Sequence, residues 1–133
     1  MVPNEKLCGS NAPSFSWRAR LKSFVYAWEG ILGFIRSEHN AQIHLVITLL
    51  VVGLSVTLGL NKWEAIAVIF SVTVVWIAEM LNTAIEKAMD FISIQRHPEI
   101  KLIKDISAGA VLIASAAAVI VGGFIFIPNI FLL

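Results

Sequence analysis

The sequence predicts an all-α integral membrane protein with an N-terminal amphipathic surface helix and three transmembrane helices. Of its 133 residues, 58% are hydrophobic and only 14% are charged, whereas soluble proteins carry roughly 25% charged residues. Three apolar runs, at about 43–60, 63–91 and 106–127, are each long enough to cross a hydrocarbon core of about 30 Å. The length suits one compact domain.

The first 14 residues are polar and contain Pro3, Gly9 and Pro13, which predicts a flexible tail ahead of a single domain at 15–133. The tail lacks the short apolar core and the small-residue cleavage site of a signal peptide. Cys8 is the single cysteine of the chain. Because one cysteine makes no disulfide framework, we expect an ordinary reduced thiol.

Residues 15–41 mix aromatic and aliphatic side chains with basic ones. This mixture is typical of a helix that lies in the membrane interface, with Trp and Tyr at headgroup depth and with Arg and Lys toward lipid phosphates. The alternative is that the segment packs on the other helices.

The sequence Gly59-Leu60-Asn61-Lys62-Trp63 joins the first two apolar runs. Gly and Asn here predict a tight turn, so these runs are expected to form an antiparallel pair of helices. The third run is rich in Ala, Gly and Ser, which lets transmembrane helices approach closely. We expect it to be a packing helix.

The positions of Lys and Arg predict the topology. Five of them precede the first apolar run, Lys62 alone lies between the first two, and none follows the third. The others stand at or after the end of the second run: Lys87, Arg96, Lys101 and Lys104. By the positive-inside rule, the N-terminus and the second loop are cytoplasmic and the C-terminus is outside. The formal net charge of +1 provides no footprint for nucleic acid.

The second apolar run carries a polar stripe, Glu79-x-x-Asn82-x-x-x-Glu86-x-x-x-Asp90. At about 100° per residue, the four side chains fall within roughly 80° of one another on an α-helix. A carboxylate that faces lipid costs about 2.5–3.5 kcal/mol, so such residues normally face a protein interior, a watery cleft or a cation. Ionised carboxylates this close also repel one another unless a metal or a proton offsets their charge.

The stripe is expected at the cytoplasmic edge of the membrane. With Trp63 as the outer interfacial anchor, a rise of about 1.5 Å per residue puts Glu79 roughly 24 Å and Glu86 roughly 34 Å inward. Water-soluble and lipid-soluble reactants can meet at this depth, and oxygen ligands of this kind suit Mg²⁺. The alternative is a structural polar seam between helices.

Two further polar groups lie on the same side of the membrane. Residues 36–44 include Glu38, a candidate second carboxylate for a metal shared with Glu86, and His44, which is equally well explained as a neutral core histidine. Residues 96–105, placed in the cytoplasmic loop, contain basic side chains that either hold phosphate oxygens or only set the topology. The sequence contains no Walker loop and no GxSxG elbow.

The core Glu79-x-x-Asn82-Thr-Ala-x-Glu86, followed by His97 and the pair Lys104-Asp105, resembles the small bacterial integral-membrane diacylglycerol kinase family, which includes the undecaprenol kinases. The resemblance covers about residues 15–127. It implies a homotrimer of three-span protomers with sites shared between protomers, in the bacterial inner membrane, with a cytoplasmic N-terminus and active site. It also implies transfer of the γ-phosphate of ATP, with Mg²⁺, to the hydroxyl of a membrane lipid alcohol.

The resemblance further implies roles for individual residues. Glu79 is expected to be the general base and Asn82 to position the catalytic groups, while Glu38 and Glu86 bind Mg²⁺. The implied nucleotide contacts are Tyr26, His97, Lys104 and Asp105. The implied substrate contacts are Arg18, Arg20, Trp28, Asn40 and Glu79.

Three positions depart from the family's pattern. Ala19 stands where members often carry an Arg, and Arg18 or Arg20 is the candidate to replace it. Gln42 replaces a common Arg, and Glu29 replaces a common Lys. Contacts to the substrate headgroup are therefore expected to differ from those of other members.

The lipid acceptor stays open between undecaprenol and diacylglycerol. The segment Glu38-x-Asn40-x-x-Ile43-His44 resembles the undecaprenol kinases more closely, but both lipids present one hydroxyl at the interface and apolar contacts discriminate them poorly. Two other classes of function use the same residues. They are a small transporter or ion-conducting assembly, since intramembrane carboxylates also mark ion paths, and a structural membrane subunit. Three spans without inverted repeats or broken helices argue against the transporter.

Overall fold

The structure, a computed structural model, describes residues 16–92 and 97–131. These residues form four helices and no strand: α1 (Trp17–Ser37), α2 (His39–Thr57), α3 (Lys62–Ile92) and α4 (Pro98–Phe131). The predicted all-α class is therefore confirmed for the described residues. The predicted tail at 1–14, with Cys8, lies outside them.

The chain comprises two compact units, Met1–Leu32 and Gly33–Leu133, and the boundary falls within α1. In the first unit, the Ser16 hydroxyl accepts a hydrogen bond from the backbone N–H of Ala19 at 3.4 Å, which satisfies a free donor at the start of α1. The large apolar side chains of α1 in this unit, Trp17, Leu21, Phe24, Val25, Tyr26 and Trp28, are exposed. The position of α1 in the membrane interface stays a prediction.

The second unit contains the tight α2–α3 turn that the sequence predicts. Gly59 adopts a φ of +63°, a conformation that costs glycine little because it has no Cβ. The N–H of Gly59 bonds to the carbonyl of Val56, and the N–H of Leu60 bonds to the carbonyl of Ser55, each at 3.3 Å. These two bonds form a Schellman motif, which ends α2 and turns the chain back.

A reciprocal cap starts α3 directly after this turn. The Asn61 Oδ1 atom accepts hydrogen bonds from the N–H groups of Trp63 at 2.9 Å and Glu64 at 3.2 Å. In return, Glu64 Oε2 accepts a bond from the Asn61 N–H at 2.9 Å. This is a capping box, with Asn in place of the usual Ser or Thr. The end of α2 and the start of α3 are therefore both set by local hydrogen bonds, and these determine at which residue α3 begins.

α3 packs chiefly on α4 and less extensively on α2. Between α2 and α3, Trp76 Nε1 donates a hydrogen bond to Thr48 Oγ1 at 3.0 Å, and the Trp76 ring meets Phe34 edge-on with centroids 6.1 Å apart. At the far end of α4, Asn129 Nδ2 donates to Glu64 Oε1 at 3.2 Å. α4 therefore runs antiparallel to α3, as an Ala- and Gly-rich packing helix.

Two helix ends differ from the bounds that the sequence predicts for the surface helix and the third span. α4 begins at Pro98 rather than near residue 106, so Lys104 and Asp105 lie on a helix and not in the loop. Charged residues lower the hydropathy of this first part of the helix, so it does not belong to the apolar run. Pro98 is nevertheless a signal for a helix start, because Pro is well suited to a first helical position. α1, which corresponds to the predicted surface helix, ends at Ser37 rather than near 41, because Glu38 is extended with φ −110° and ψ 122°, and α2 begins at His39.

The helices α2, α3 and α4 are each long and apolar enough to cross a membrane. α3 has 31 residues and is about 46 Å long at 1.5 Å per residue, which exceeds the hydrocarbon core of about 30 Å. One end of α3 must therefore extend into the membrane interface. The polar stripe occupies the C-terminal half of this helix.

Candidate functional site

The polar stripe of α3 runs from a buried end to an exposed end. Glu79 is only 3% exposed and Asn82 is 6% exposed, whereas Glu86 is half-buried and Asp90 is exposed. The four side chains share one helical face, as their spacing requires. A hydrophilic ligand approaching from the Asp90 end therefore meets the stripe progressively deeper in the protein.

Glu79 has no partner among the described residues, since none of them donates a hydrogen bond or forms an ion pair with its carboxylate. Within the described chain, every fully enclosed side-chain nitrogen or oxygen has a hydrogen-bond partner. The unpaired Glu79 oxygens are therefore not sealed off from the surface. A buried acid in this condition is unfavourable unless something else supplies the missing interaction.

Asn82 forms the centre of a buried hydrogen-bonded chain that joins α3 to α4. The Ser107 hydroxyl lies 2.6 Å from Asn82 Oδ1, to which it donates, and it is also 2.9 Å from the carbonyl of Lys104. On the other side, Asn82 Nδ2 donates to Glu86 Oε1 at 3.1 Å. The amide therefore uses both ends, which fixes its orientation and holds Glu86 in place.

Charged pairs continue this seam toward the open end. Lys104 Nζ lies 2.9 Å from Asp90 Oδ1, so the first turns of α4 are tied to the last turns of α3. On the outer face of α4, Lys101 pairs with Asp105 one turn later. Each sequence-predicted nucleotide contact on α4 thus has a counter-ion on the chain.

Glu38 approaches α3 from the start of α2. Its Oε1 atom accepts a hydrogen bond from Lys87 Nζ at 2.8 Å and one from the Ser37 hydroxyl at 3.0 Å. These two donors hold the pKa of Glu38 below its ordinary value, because both stabilise the ionised carboxylate. Lys87 follows Glu86 directly, so the pair brings Glu38 alongside the turn of α3 that carries Glu86.

The residues present fit Mg²⁺ by the chemistry of their donors. Glu38 and Glu86 are carboxylates, and the part of the chain that the structure describes contains no group of three or more His, Cys, Asp or Glu side chains placed to hold a metal. Mg²⁺ usually takes one or two carboxylates and completes its octahedron with waters and substrate phosphates. Two carboxylates completed by water are therefore a donor set that suits this ion.

An apolar groove of about 600 Å³ runs beside the seam, between α3 and α4. Asn82 and Ser107 line it, and its other lining residues are apolar: Val74, Ile77, Ala78, Leu81, Ile85, Ile103, Ile106 and Ala110. Asn82 is one helical turn from Glu79. The groove therefore reaches the turn of α3 that follows the buried acid.

The remaining sequence-predicted residues form no side-chain hydrogen bond or ion pair with the seam among the described residues of the second unit, or belong to the first unit. Arg18, Arg20, Tyr26 and Trp28 are exposed on α1, in the first unit. In the second unit, Asn40 is exposed in the first turn of α2. His97 precedes α4, and its Nδ1 atom accepts a hydrogen bond from the Glu99 N–H at 3.3 Å. Arg96 lies outside the described residues.

Sequence reasoning missed two participants, Ser107 and Lys87. Ser107 follows Lys104 by three residues, and this spacing places both on one face of a helix. This spacing has no meaning in a loop, and residues 96–105 are predicted from the sequence to form a loop. In the sequence, Lys87 contributes only to the predicted membrane topology. No local pattern links it to Glu38, which precedes it by 49 positions.

Comparison with known proteins identifies the family. Residues 25–126 match the sequence profile of prokaryotic diacylglycerol kinase. The chain is similar to the undecaprenol kinase of Bacillus subtilis (strain 168), with 37% identity over 111 residues that cover 82% of this chain and 89% of that protein.

Diacylglycerol kinases are similar as well. That of Synechocystis sp. is 41% identical over 109 residues, covering 81% of this chain and 62% of that protein. That of Escherichia coli (strain K12) is 34% identical over 100 residues, covering 75% of this chain and 82% of that protein. Since the profile match spans more than half of the chain and the Bacillus subtilis relative is 37% identical over 82% of it, the chain belongs to the prokaryotic diacylglycerol kinase family.

Proposed function

We propose that the chain is a membrane lipid kinase that transfers the γ-phosphate of ATP to the hydroxyl of a lipid alcohol, with Glu79 as the general base. The observation that carries this proposal is the state of Glu79, an acid only 3% exposed with no partner among the described residues. One turn further along α3, Asn82 lines the apolar groove and donates a hydrogen bond to the Glu86 carboxylate. A lipid hydroxyl supplies the donor that Glu79 lacks.

The proposed reaction uses Glu79 at a single step. As the lipid hydroxyl oxygen attacks the γ-phosphorus, its proton passes to a Glu79 oxygen, the bond from the γ-phosphorus to the bridging oxygen breaks, and ADP leaves with that electron pair. Phosphoryl transfer needs positioning and charge neutralisation more than covalent help from the protein. Asn82 contributes positioning because it holds Glu86 at 3.1 Å.

Charge neutralisation is proposed to come from a metal and from lysine. Glu38 and Glu86 are the proposed Mg²⁺ ligands, and the ion when bound neutralises charge on the phosphates. Lys104, which pairs with Asp90 at 2.9 Å, is proposed to contact the nucleotide because an ammonium is a good donor to phosphate oxygens. The other proposed nucleotide contacts are Tyr26, His97 and Asp105.

The remaining proposals follow the family. The enzyme is proposed to be a homotrimer with sites shared between protomers, in the bacterial inner membrane, with its N-terminus and its site on the cytoplasmic side. The proposed lipid contacts are Arg18, Arg20, Trp28 and Asn40, in addition to Glu79. The distribution of basic residues supports the cytoplasmic side.

For the acceptor, we propose undecaprenol ahead of diacylglycerol. Relatives of both names cover most of the chain, so similarity alone does not decide between them. The segment Glu38-x-Asn40-x-x-Ile43-His44 supports the polyprenol. Purified protein supplied with radiolabelled ATP and with undecaprenol, shorter polyprenols or diacylglycerol in separate reactions distinguishes the acceptors.

The test of the base is Glu79→Gln. Because the amide cannot accept the proton, we expect the rate of lipid phosphorylation to fall at least about 100-fold, within the range that general bases contribute. The oligomer mass in detergent is expected to stay that of the wild type. Glu64→Gln is the matched control, since Glu64 lies on the same helix, bonds to Asn61 and Asn129, and has no proposed role in the reaction.

Full activity of Glu79→Gln would remove Glu79 as the base. No phosphorylation of any lipid by the wild-type chain, together with ion flux when it is reconstituted in liposomes, would contradict the kinase assignment and favour an ion-conducting assembly.

A further inference from the structure

Lys87 forms an ion pair with Glu38 that no part of the proposed reaction uses. Its Nζ atom lies 2.8 Å from Glu38 Oε1 and 3.5 Å from the Ser37 hydroxyl, and that hydroxyl donates to the same Glu38 oxygen at 3.0 Å. The Lys87 side chain is 61% exposed and the Glu38 side chain 29% exposed. A single oxygen of Glu38 thus receives both donors.

We propose that Lys87 is the resident counter-ion of Glu38 and competes through its charge with a divalent cation for that carboxylate, so that Lys87 lowers the affinity of the site for the metal. This proposal rests on the proposed function, because it takes Glu38 and Glu86 as the metal ligands. It assigns Lys87 the role of a positioning residue that tunes metal binding and does not touch the substrate.

Lys87 competes with the metal through its charge, because Lys87 and Ser37 occupy one oxygen of Glu38 and none of the described residues donates to the other. An ammonium group only donates hydrogen bonds, so Lys87 cannot join Glu38 as a ligand. Its charge also repels an arriving cation. Because Lys87 follows Glu86 directly in the sequence, it cannot leave the region of the proposed metal, and only its long side chain can move away.

The exposure of Lys87 makes that movement inexpensive. Exposed ion pairs contribute little to stability, since water hydrates both charges well when they separate. Lys104 is different, because its side chain is only 32% exposed and it ties α4 to Asp90 on α3. Of these two lysines, Lys87 is therefore the one that exchanges with a cation while the helix packing is retained.

The consequence has a definite sign. If Lys87 competes with the metal, its neutralisation tightens metal binding. If Lys87 only supports the fold around Glu38, its removal loosens the site and weakens metal binding. For one unit charge about 6 Å from a divalent ion in well-hydrated surroundings, Coulomb's law gives a change in affinity of about three- to tenfold.

The experiment measures Mn²⁺ binding to the full chain in detergent micelles by electron paramagnetic resonance, with a non-hydrolysable ATP analogue and without any lipid acceptor. Lys87→Gln is expected to bind Mn²⁺ about three- to tenfold more tightly than the wild type. Lys87→Arg keeps the charge and is expected to stay within about twofold of the wild type. Lys62→Gln is the matched control, because it removes the same charge at the other end of α3, where Lys62 lies over the Trp63 ring. It is expected to leave Mn²⁺ affinity unchanged.

Equal or weaker Mn²⁺ binding by Lys87→Gln would overturn the proposal. So would undiminished binding by Glu38→Gln, or the absence of Mn²⁺ binding by the wild-type chain, because Glu38 would then not be a metal ligand. The binding series is independent of turnover. A chain that shows the expected Mn²⁺ series but phosphorylates no lipid would contradict the proposed reaction and leave this inference standing.

Discussion

Asn82 is the residue through which the two long helices and the proposed metal ligand are connected. Its carbonyl oxygen accepts from Ser107 on α4 at 2.6 Å, and its amide donates to Glu86 at 3.1 Å. The bond to Ser107 is buried and the bond to Glu86 is partly buried, and in such surroundings an unmatched polar group costs more than a matched one contributes. Loss of the bond to Ser107 is therefore expected to affect stability, whereas loss of the bond to Glu86 is expected to affect activity.

Asn82→Ala is expected to lower both stability and activity. It leaves the Ser107 hydroxyl with fewer partners and frees Glu86, so we expect the free energy of unfolding to fall by about 1–3 kcal/mol. The phosphorylation rate is expected to fall about 10- to 100-fold, because Glu86 is no longer held in position. Thermal unfolding in detergent and the lipid phosphorylation assay measure the two effects.

Ser107→Ala is the comparison that separates these effects. It removes the link to α4 but leaves the bond from Asn82 to Glu86, so stability is expected to fall while most activity is retained. An equal loss of activity in both variants would contradict the positioning role of the Asn82 amide.

At this scale, helical spacing was sufficient to predict the stripe. Glu79, Asn82, Glu86 and Asp90 share one face because their separations follow the period of an α-helix, and that geometry needs no partner helix. The contacts of Asn82 with Ser107 and of Glu38 with Lys87 join residues 25 and 49 positions apart. Such pairs depend on how helices pack, which local spacing does not specify.

At the scale of the helices, a side-chain hydrogen bond joins α2 to α3. Trp76 Nε1 donates to Thr48 Oγ1 at 3.0 Å, while the Thr48 hydroxyl itself donates to the carbonyl of His44 at 2.7 Å. Phe34 packs edge-on against the same indole. Because α2 packs on α3 less extensively than α4 does, one polar bond forms a larger share of this contact.

Thr48→Val is expected to weaken the α2–α3 pair. The substitution keeps the shape of the side chain but removes the acceptor of the Trp76 N–H, and interhelical hydrogen bonds in membrane proteins contribute about 0.5–2 kcal/mol. We therefore expect a loss of that size in the free energy of unfolding in detergent. The fluorescence of the tryptophans is expected to change, because one indole loses its partner.

Thr73→Val is the matched control for this prediction. The Thr73 hydroxyl donates to the carbonyl of Ile69 within α3 at 2.8 Å and joins no other helix. We expect the control to unfold close to the wild type. If both variants lost the same stability, the contribution would come from the local helix and not from the α2–α3 contact.

Local turn residues predict one helix end, but hydropathy does not predict another. The α2–α3 turn was predicted because Gly59 and Asn61 carry local turn chemistry, and the positive φ of Gly59 confirms it. Hydropathy does not predict the start of α4, because Lys101, Lys104 and Asp105 lie on this helix but precede its apolar run. Hydropathy reports the segment that lies in hydrocarbon, and a helix that extends beyond the membrane is longer than that segment.

At the scale of the whole molecule, one hydrogen bond in the second unit joins the end of α4 to the start of α3. Asn129, near the end of α4, donates to Glu64 in the first turn of α3 at 3.2 Å. The end of α4 therefore lies on the same side of the membrane as the α2–α3 turn. The distribution of Lys and Arg predicts which side this is, because the turn carries Lys62 alone whereas Lys87, Lys101 and Lys104 lie toward the opposite ends of α3 and α4.

The topology prediction follows from these two facts together. We expect alkaline phosphatase fused to the C-terminus to be active and green fluorescent protein at the same place to be dark, since the first folds only outside the cytoplasm and the second fluoresces only inside. Green fluorescent protein at the N-terminus is expected to fluoresce. Appending four lysines to the C-terminus opposes the charge bias, and we expect it to raise the fraction of inverted chains. A fluorescent C-terminal fusion of the unmodified chain would put the α2–α3 turn in the cytoplasm and the Glu79 to Asp90 stripe outside, away from cellular ATP.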